Sequence, residues 1–408
     1  MKRKVFTLLG VGMGMILHAT TAVYDTVTVT SGGLFSALTA TQLSTVTDLT
    51  IKGSISSSDF VTMRDKMPVL ANIDISESSV DYNAIPQYAF YSATTYQGSD
   101  NLLSIKLPST ITSIGSYAFD NCNNLSSINL PNSITTIGDY SFYGCAFTTL
   151  TLPSSLTTIG NNCFQYCQDL TSFIMPSTVT SVGWDMCNAC SSLTDVVISS
   201  SLTKIAEQMF SKCSSLTSIT IPTSIKSIDI MAFQECTALK SVIIPSSVTT
   251  IVQDAFAYCS ALQKVSIPAS VTSIGSDVFY GCTSLDTVYS YRTTPVNITS
   301  SSNVFGNVNK STCILYVPSS SVSQYKAANQ WQDFTTINGT LTDIEIVKSL
   351  TKSYKIEGNT IVFTDKNTAV YSLLGQRLSD ISCQNITLPN GVYFVQTPSG
   401  TTKIVLTK

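Results

Sequence analysis

The sequence predicts a solenoid of short parallel strands and irregular coil, in turns of 23 residues, followed by a small C-terminal domain of short strands. Three periodic features carry this reading. A cysteine returns at Cys122, Cys145, Cys167, Cys190, Cys213, Cys236, Cys259 and Cys282, every 23 residues except for one step of 22. A proline keeps the same step at Pro108, Pro131, Pro153, Pro176, Pro222, Pro245 and Pro268, with Ser199 in the vacant slot. A phenylalanine does so at Phe119, Phe142, Phe164, Phe210, Phe233, Phe256 and Phe279, with Cys187 in the fourth place.

Each turn opens on an apolar triplet such as Leu102, Ile105, Leu107 or Leu262, Val265, Ile267. The alternation ending the triplet puts apolar side chains on one face of a short strand. Proline, which cannot donate to a ladder, ends that strand. Two residues on, the chain carries only hydroxyls: Thr110, Ser133, Ser155, Thr178, Ser201, Ser224, Ser247 and Ser270. A short hydroxyl at a buried bend can satisfy backbone groups that the turn leaves unpaired, so a Ser/Thr ladder is expected along one corner. A Val or Ile pair, the phenylalanine and the cysteine complete the turn and face an interior shared with neighbouring rungs.

The pattern L-x-x-I-x-L-P-x-[ST]-V-T-x-I-G-x-x-A-F-x-x-C resembles the BspA-like class of leucine-rich repeats, from about Val46 to Ile337. This resemblance implies an α/β-type leucine-rich repeat solenoid. The organisation expected is a signal peptide at 1–22, an N-terminal cap with irregular repeats at 23–101, regular repeats at 102–291, a last rung and cap at 292–341, and a separate small domain at 342–408. Weaker rungs fall at Val46, Leu49, Ile51 and at Leu70, Ile73, Ile75. Leu34 to Leu43 and Asp59 to Leu70 read as helical pieces, the second started by Ser58 or Asp59. Ser92 to Asn101 reads as an insertion. Leu315, Val317 and Pro318 fit a last rung, and Tyr325, Trp331 and Phe334 are expected on a short helix covering the end of the core.

The start of the chain carries Lys2, Arg3 and Lys4, an apolar run from Val5 to Leu17, and small residues ending near Ala22. That is the layout of a secretory leader, too short for a membrane span. His18, the single histidine, lies within it, so the mature chain is expected to build no Ser-His-Asp or Cys-His site and no histidine-ligated metal centre. Acidic residues show no repeated pairing of the kind glycoside chemistry uses. The expectation is a protein that is not an enzyme, with no cofactor and no metal. Charged residues are 12%, about half the usual share, and the absence of a basic patch speaks against nucleic acid as a partner.

The 12 cysteines admit two readings. In an exported protein an even count suggests disulfides, and Cys187 to Cys190 mimics a metal or redox pair. Register favours buried free thiols, because neighbouring rungs lie about 4.8 Å apart with parallel side chains, whereas a disulfide needs Cβ atoms near 3.8 Å and turned toward each other. Cys163 takes the place of the alanine before the phenylalanine, and only Cys313 and Cys383 fall outside the repeats.

From about Thr342 the period is gone, and strands are expected at Tyr354 to Ile356, Thr360 to Phe363, Ala369 to Ser372, Asn385 to Leu388, Val392 to Gln396 and Lys403 to Leu406. The stretches V-Y-S-L-L-G-Q-R-L, L-P-N-G-V-Y-F-V and K-I-V-L-T-K resemble the C-terminal sorting domain of the type IX secretion system, with Gly375, Gly391, Tyr393 and Lys408 at recurring positions. That likeness implies a small β-sandwich over 342–408, the secretion machinery as a partner and a cell-surface or extracellular location. A small β-domain closing the array is the alternative.

The candidate binding surface is the exposed strand position of each rung: Lys106, Asn129, Thr151, Ile174, Val197, Thr220, Ile243 and Ser266. Ile174, Val197 and Ile243 make an apolar stripe on a face expected to be open to solvent, where solenoids bind ligands. Plain strand propensity is the competing account. Likeness to the BspA-like class implies an adhesin binding host matrix proteins such as fibronectin or fibrinogen, or other bacteria. A carbohydrate-binding or nutrient-capture role is the alternative, one that an aromatic platform would favour, yet Trp184 and Trp331 fall off the strand face.

Overall fold

The computed structural model describes residues 22–339 and, in the tail, the backbone of six strands. The chain divides into two compact units, Met1–Cys167 and Gln168–Lys408. Among the described residues, 22–167 of the first unit and 168–339 of the second each form a parallel-strand solenoid built from the 23-residue turn.

In the first unit the coil begins one rung earlier than the sequence reading placed it. Tyr24–Val29 pairs in parallel with Asp48–Ile55, which pairs with Asn72–Asp74, then Ser104–Lys106 and Ser127–Ile128. The first helical piece is split into Leu34–Ala37 and Ala40–Thr45, because Thr39 and Gln42 form a capping box that starts a new helix. The second helix runs Ser57–Lys66 and is capped by Ser56 rather than by Ser58 or Asp59. Asp59 sits in its first turn, buried, and its carboxylate accepts from the backbone N–H groups of Gly32, Leu34 and Ser56. The insertion closes as a hairpin, Tyr91–Ser92 against Gln97–Gly98.

A second parallel ladder follows each bend. Ile114, Ile137 and Ile159 stand in register in the first unit, as do Ile205, Ile228, Ile251 and Ile274 in the second. The expected hydroxyl ladder is present at Ser133, Ser155, Ser201 and Ser270, each donating to a carbonyl of the preceding rung. Ser199, in the proline slot, donates to Val179. Ser224 and Ser247 keep the register, but their buried hydroxyls have no hydrogen-bond partner.

The interior is organised by columns. Phe90, Phe119, Phe142 and Phe164 stack with centroids 5.4 to 5.6 Å apart. Phe210, Phe233, Phe256, Phe279 and Phe305 do so at 5.2 to 5.7 Å. Both are offset stacks imposed by the rung spacing. Each column ends on an edge-on ring: Phe60 against Phe90 at 83°, and Trp331 and Phe334 against Phe305 at 61° and 80°. The C-terminal cap thus differs from its expected form. The helix spans only Val322–Tyr325, and Trp331 and Phe334 follow it in turns, yet all three aromatics are buried. Tyr325 exchanges a hydrogen bond with Ser290, and Trp331 Nε1 donates to Val296. A further strand, Thr336–Asn338, pairs with Ile314–Tyr316.

The cysteine column lies beside the phenylalanines. Cys122, Cys145 and Cys167 donate to the carbonyls of Phe90, Phe119 and Phe142, and Cys213, Cys236, Cys259 and Cys282 donate to those of Cys187, Phe210, Phe233 and Phe256, at 3.1 to 3.7 Å. Burial pushes the Cys122 and Cys282 thiols up to about 12 and those of Cys145, Cys213, Cys236 and Cys259 well above their ordinary value. Deprotonation is what makes a thiol reactive, so burial disfavours the reactive form of these six.

The segment around each phenylalanine needs left-handed backbone at two places, before the A-F pair and before the cysteine. Tyr117 and Asn121, Tyr140 and Gly144, Asp185 and Ala189, and Gln208 and Lys212 all have φ between 52° and 71°. The chain there turns back on itself while its N–H groups still reach the next rung, as from Tyr117 to Asp139 and from Phe210 to Ala232.

In the tail, Tyr354–Glu357, Thr360–Phe363 and Asn385–Thr387 form one antiparallel sheet. Ala369–Ser372, Gly391–Thr397 and Gly400–Leu406 form another. The leader read over 1–22, apart from its last position, and Gly375, Cys383 and Lys408 lie outside the described residues, as does the packing implied by a sandwich.

Candidate functional site

The outward positions of the strands are held in line by parallel register, so chemistry at one rung sits beside chemistry at the next. In the first unit the column reads Thr26, Thr50, Asp74, Lys106. Lys106 is exposed and its Nζ lies 3.3 Å from Asp74 Oδ2. Burial pushes the Asp74 carboxyl up, but the Ser76 hydroxyl and amide, with Lys106 after them, together hold it below its ordinary value. Asn129 is turned to structural work: its side chain accepts from the Leu107 N–H at 2.6 Å and donates to the Leu107 carbonyl at 3.1 Å. Thr151 is exposed.

In the second unit Ile174 pairs with Val197, and Ile243 with Ser266. Both isoleucines, Val197, Thr220 and Ser266 are half-buried, while the intervening Phe173, Val196, Ile219, Val242 and Val265 are buried in the core. The column does not stop at Ser266. Register carries it on to Tyr289, Tyr316 and Asn338, and the two tyrosine rings stack at 5.2 Å with 19° between their planes. These tyrosines were missed by the sequence reading because the cysteine and proline markers end at Cys282. Counting one more triplet, Leu285, Val288, Ser290, would have found Tyr289. The second outward column, Ser241, Lys264, Thr287, Ile314 and Thr336, is mostly small and polar. The face therefore offers a ridge of apolar and aromatic groups flanked by hydroxyls. Trp184 is 45% exposed but off this face.

Among the described residues no group of three or more His, Cys, Asp or Glu could hold a metal ion. No described helix is long and apolar enough to cross a membrane. Cys313 is buried, which pushes its thiol up to about 12.

Comparison with curated proteins finds no match. Among solved structures, a leucine-rich repeat protein from Bacteroides ovatus ATCC 8483 is 22% identical with a TM-score of 0.47, over 71% of this chain and 93% of that one. A leucine rich cell surface protein from Faecalibacterium prausnitzii A2-165 is 19% identical with a TM-score of 0.33, over 70% and 94%. A leucine-rich repeat protein from Eubacterium ventriosum ATCC 27560 is 25% identical with a TM-score of 0.41, over 59% and 66%. A family model described as "BspA type Leucine rich repeat region" matches residues 83–217 and 203–330, in six copies. These matches span more than half of the chain and coincide with the columns described above, and the protein belongs to the BspA-type leucine-rich repeat family.

Proposed function

We propose that the protein is an exported, non-catalytic adhesin whose strand face binds another protein, of the host matrix or of a neighbouring cell. The observation that carries this reading is the outward column of the second unit, where Ile174, Val197, Ile243, Tyr289 and Tyr316 line one face beside small hydroxyls. An apolar and aromatic core within a polar rim is the anatomy of a protein interface. Export is supported by the leader at the start of the chain, and surface attachment by the sorting-like motifs of the tail. Deleting residues 342–408 is expected to leave the protein in the periplasm, and unchanged surface display would refute the sorting role.

A glycan ligand is the second reading, and the Tyr289–Tyr316 pair favours it, since aromatic rings also pack on sugars. Matrix-protein binding assays beside glycan arrays separate the two. The triple change Ile174→Ser, Val197→Ser, Ile243→Ser is expected to abolish protein binding while leaving the fold intact. Specific sugar binding with no protein ligand would reverse the ranking.

A further inference from the structure

Three aspartates are buried among the described residues, and two of them are answered. Asp59 takes backbone N–H groups, as described above, and Asp185 takes the side-chain amides of Asn188 and Gln208. Asp120 is 4% exposed, and its Oδ1 has no hydrogen-bond partner. A buried carboxylate left in this state is costly unless something else meets it.

The surroundings of Asp120 depart from the repeat in two further ways. The inserted hairpin lies on this turn so closely that a Cβ on Gly98 would come within 2.3 to 2.4 Å of the Asn121 and Asp120 carbonyls. Tyrosines also crowd here. Tyr88, Tyr91, Tyr117, Tyr140 and Tyr143 form one continuous group, with centroid separations of 5.2 Å for Tyr88–Tyr117, 6.0 Å for Tyr91–Tyr117, 4.8 Å for Tyr117–Tyr140 and 5.8 Å for Tyr140–Tyr143. Three of them adjoin the turn that carries Asp120: Tyr91 pairs with Gly98, which lies on that turn, Tyr117 precedes Asp120 within it, and the Asn121 N–H donates to the Tyr143 carbonyl. Burial first, and also the charge of Asp120, raises all three phenols. Asp139 acts on Tyr117, and Asp100 on Cys122, with the same sign. Arg64 reaches the edge of the group, donating to the Tyr88 and Tyr91 carbonyls, but it is paired with Asp65 and is not among the groups acting on Asp120. The second unit supplies an internal contrast: Tyr258 and Tyr280 meet at 5.3 Å, and the slot equivalent to Asp120 there holds Ala257.

We propose that the Tyr91, Tyr117 and Tyr143 cluster around Asp120 is a binding site for an alkylammonium group, with the rings as walls and the carboxylate as counter-charge. Electron-rich ring faces attract cations, and a negative field selects for charge. The group can arrive on a free amine or on a lysine side chain of a protein.

The test uses the full chain and tyrosine difference absorbance. n-Butylammonium is expected to give a saturable signal, and n-butanol, its neutral counterpart, none. Asp120→Asn is expected to weaken n-butylammonium binding about tenfold or more. Tyr143→Leu should weaken it where Tyr143→Phe does not, and Tyr258→Leu should leave it unchanged. Thermal melting by circular dichroism establishes that each variant is folded. Acetyl-Gly-Lys-Gly-amide titrated alongside distinguishes the sources: tighter binding than n-butylammonium assigns a protein lysine, equal or weaker binding a free amine, and either ordering upholds the site. Equal response to n-butanol, no saturable response to either cation, or an Asp120→Asn variant that binds as wild type would overturn it.

Discussion

Each turn places two residues at positive φ, yet few of those positions are glycine. A left-handed non-glycine residue costs on the order of 1 to 2 kcal/mol, and glycine gives back part of that gain through its larger unfolded-state entropy. Ala189, at φ 60° and nearly buried, has no side-chain polar group to compensate. Ala189→Gly is therefore expected to stabilise the second unit by about 0.5 to 1 kcal/mol, read as a rise in the denaturant midpoint. Asp120 offers the opposite case, strain of charge rather than of backbone. Burial lifts its carboxyl from 3.8 to about 7, with the Asn121 amide offsetting only part of the effect. A carboxyl whose folded value lies above its unfolded one binds its proton more tightly in the native state, so stability is greatest below about pH 4 and declines as pH rises toward 7. Asp120→Asn removes the charge. At pH 8 it should raise stability by about 2 kcal/mol, after allowance for partial screening by solvent, and at pH 4 it should change little. Melting curves at the two pH values check this, and equal shifts at both would show that the carboxyl titrates normally.

At the scale of the element, the ends of the coil carry a burden that the middle does not. An internal phenylalanine is covered by its own kind above and below, whereas Phe305 depends on Trp331 and Phe334 meeting it edge-on. Trp331→Ala is expected to cost about 3 to 5 kcal/mol. The loss should be local: amide exchange would quicken in Ile314–Tyr316 and Thr336–Asn338 before it does in Lys204–Ile205. The middle elements were legible in the sequence because each side chain recurs in register, and a strand as short as Ser227–Ile228 is secured by its neighbours rather than by its own propensity. The caps were less so. Tyr325, Trp331 and Phe334 announce a buried end, but nothing in their spacing says that the helix stops at Tyr325, because burial against Phe305, Ser290 and Val296 decides it. The strand Tyr24–Val29 escaped for the same reason: its pattern is weakly apolar, and pairing with Asp48–Ile55 holds it. On the outer strand face, Lys106 to Ser266 could be counted from the proline marker, whereas Tyr289 and Tyr316 lie past the last one. The Asp120 cluster was not legible, since its parts come from the inserted hairpin, the three left-handed positions Tyr88, Tyr117 and Tyr140, and a slot that elsewhere holds Gln165 or Ala257.

For the molecule as a whole, the 23-residue step means that stability is a sum over rungs and their contacts with nearest neighbours. Every interior column of the second unit obeys this: Phe233 touches Phe210 and Phe256, Cys259 donates to Phe233, and Ile251 pairs with Ile228 and Ile274. Removing one full step should therefore leave the rest able to close. Deleting Thr237 to Cys259 joins Cys236 to Ser260, brings Phe279 into the place of Phe256 beside Phe233, and sets Thr220 next to Ser266 on the outer face. We expect this variant to fold cooperatively, with the circular-dichroism spectrum of the parent and a lower denaturant midpoint. Deleting only Thr237 to Val248 removes about half a step, sets the outer strand of one rung against the bend of the next, and is expected to unfold the unit. Failure of the full-step deletion to fold would show that the unit depends on contacts beyond nearest neighbours. The same variant bears on ligand binding, because it removes Ile243 together with its rung while keeping Ile174, Val197, Tyr289 and Tyr316. If the partner spans the ridge, the deletion shortens the gap between its two apolar ends by one rung, about 4.8 Å, and binding should fall as far as it does for the triple serine change. If the partner sits on the tyrosine end alone, affinity should persist in the deletion and disappear on Tyr289→Ala with Tyr316→Ala.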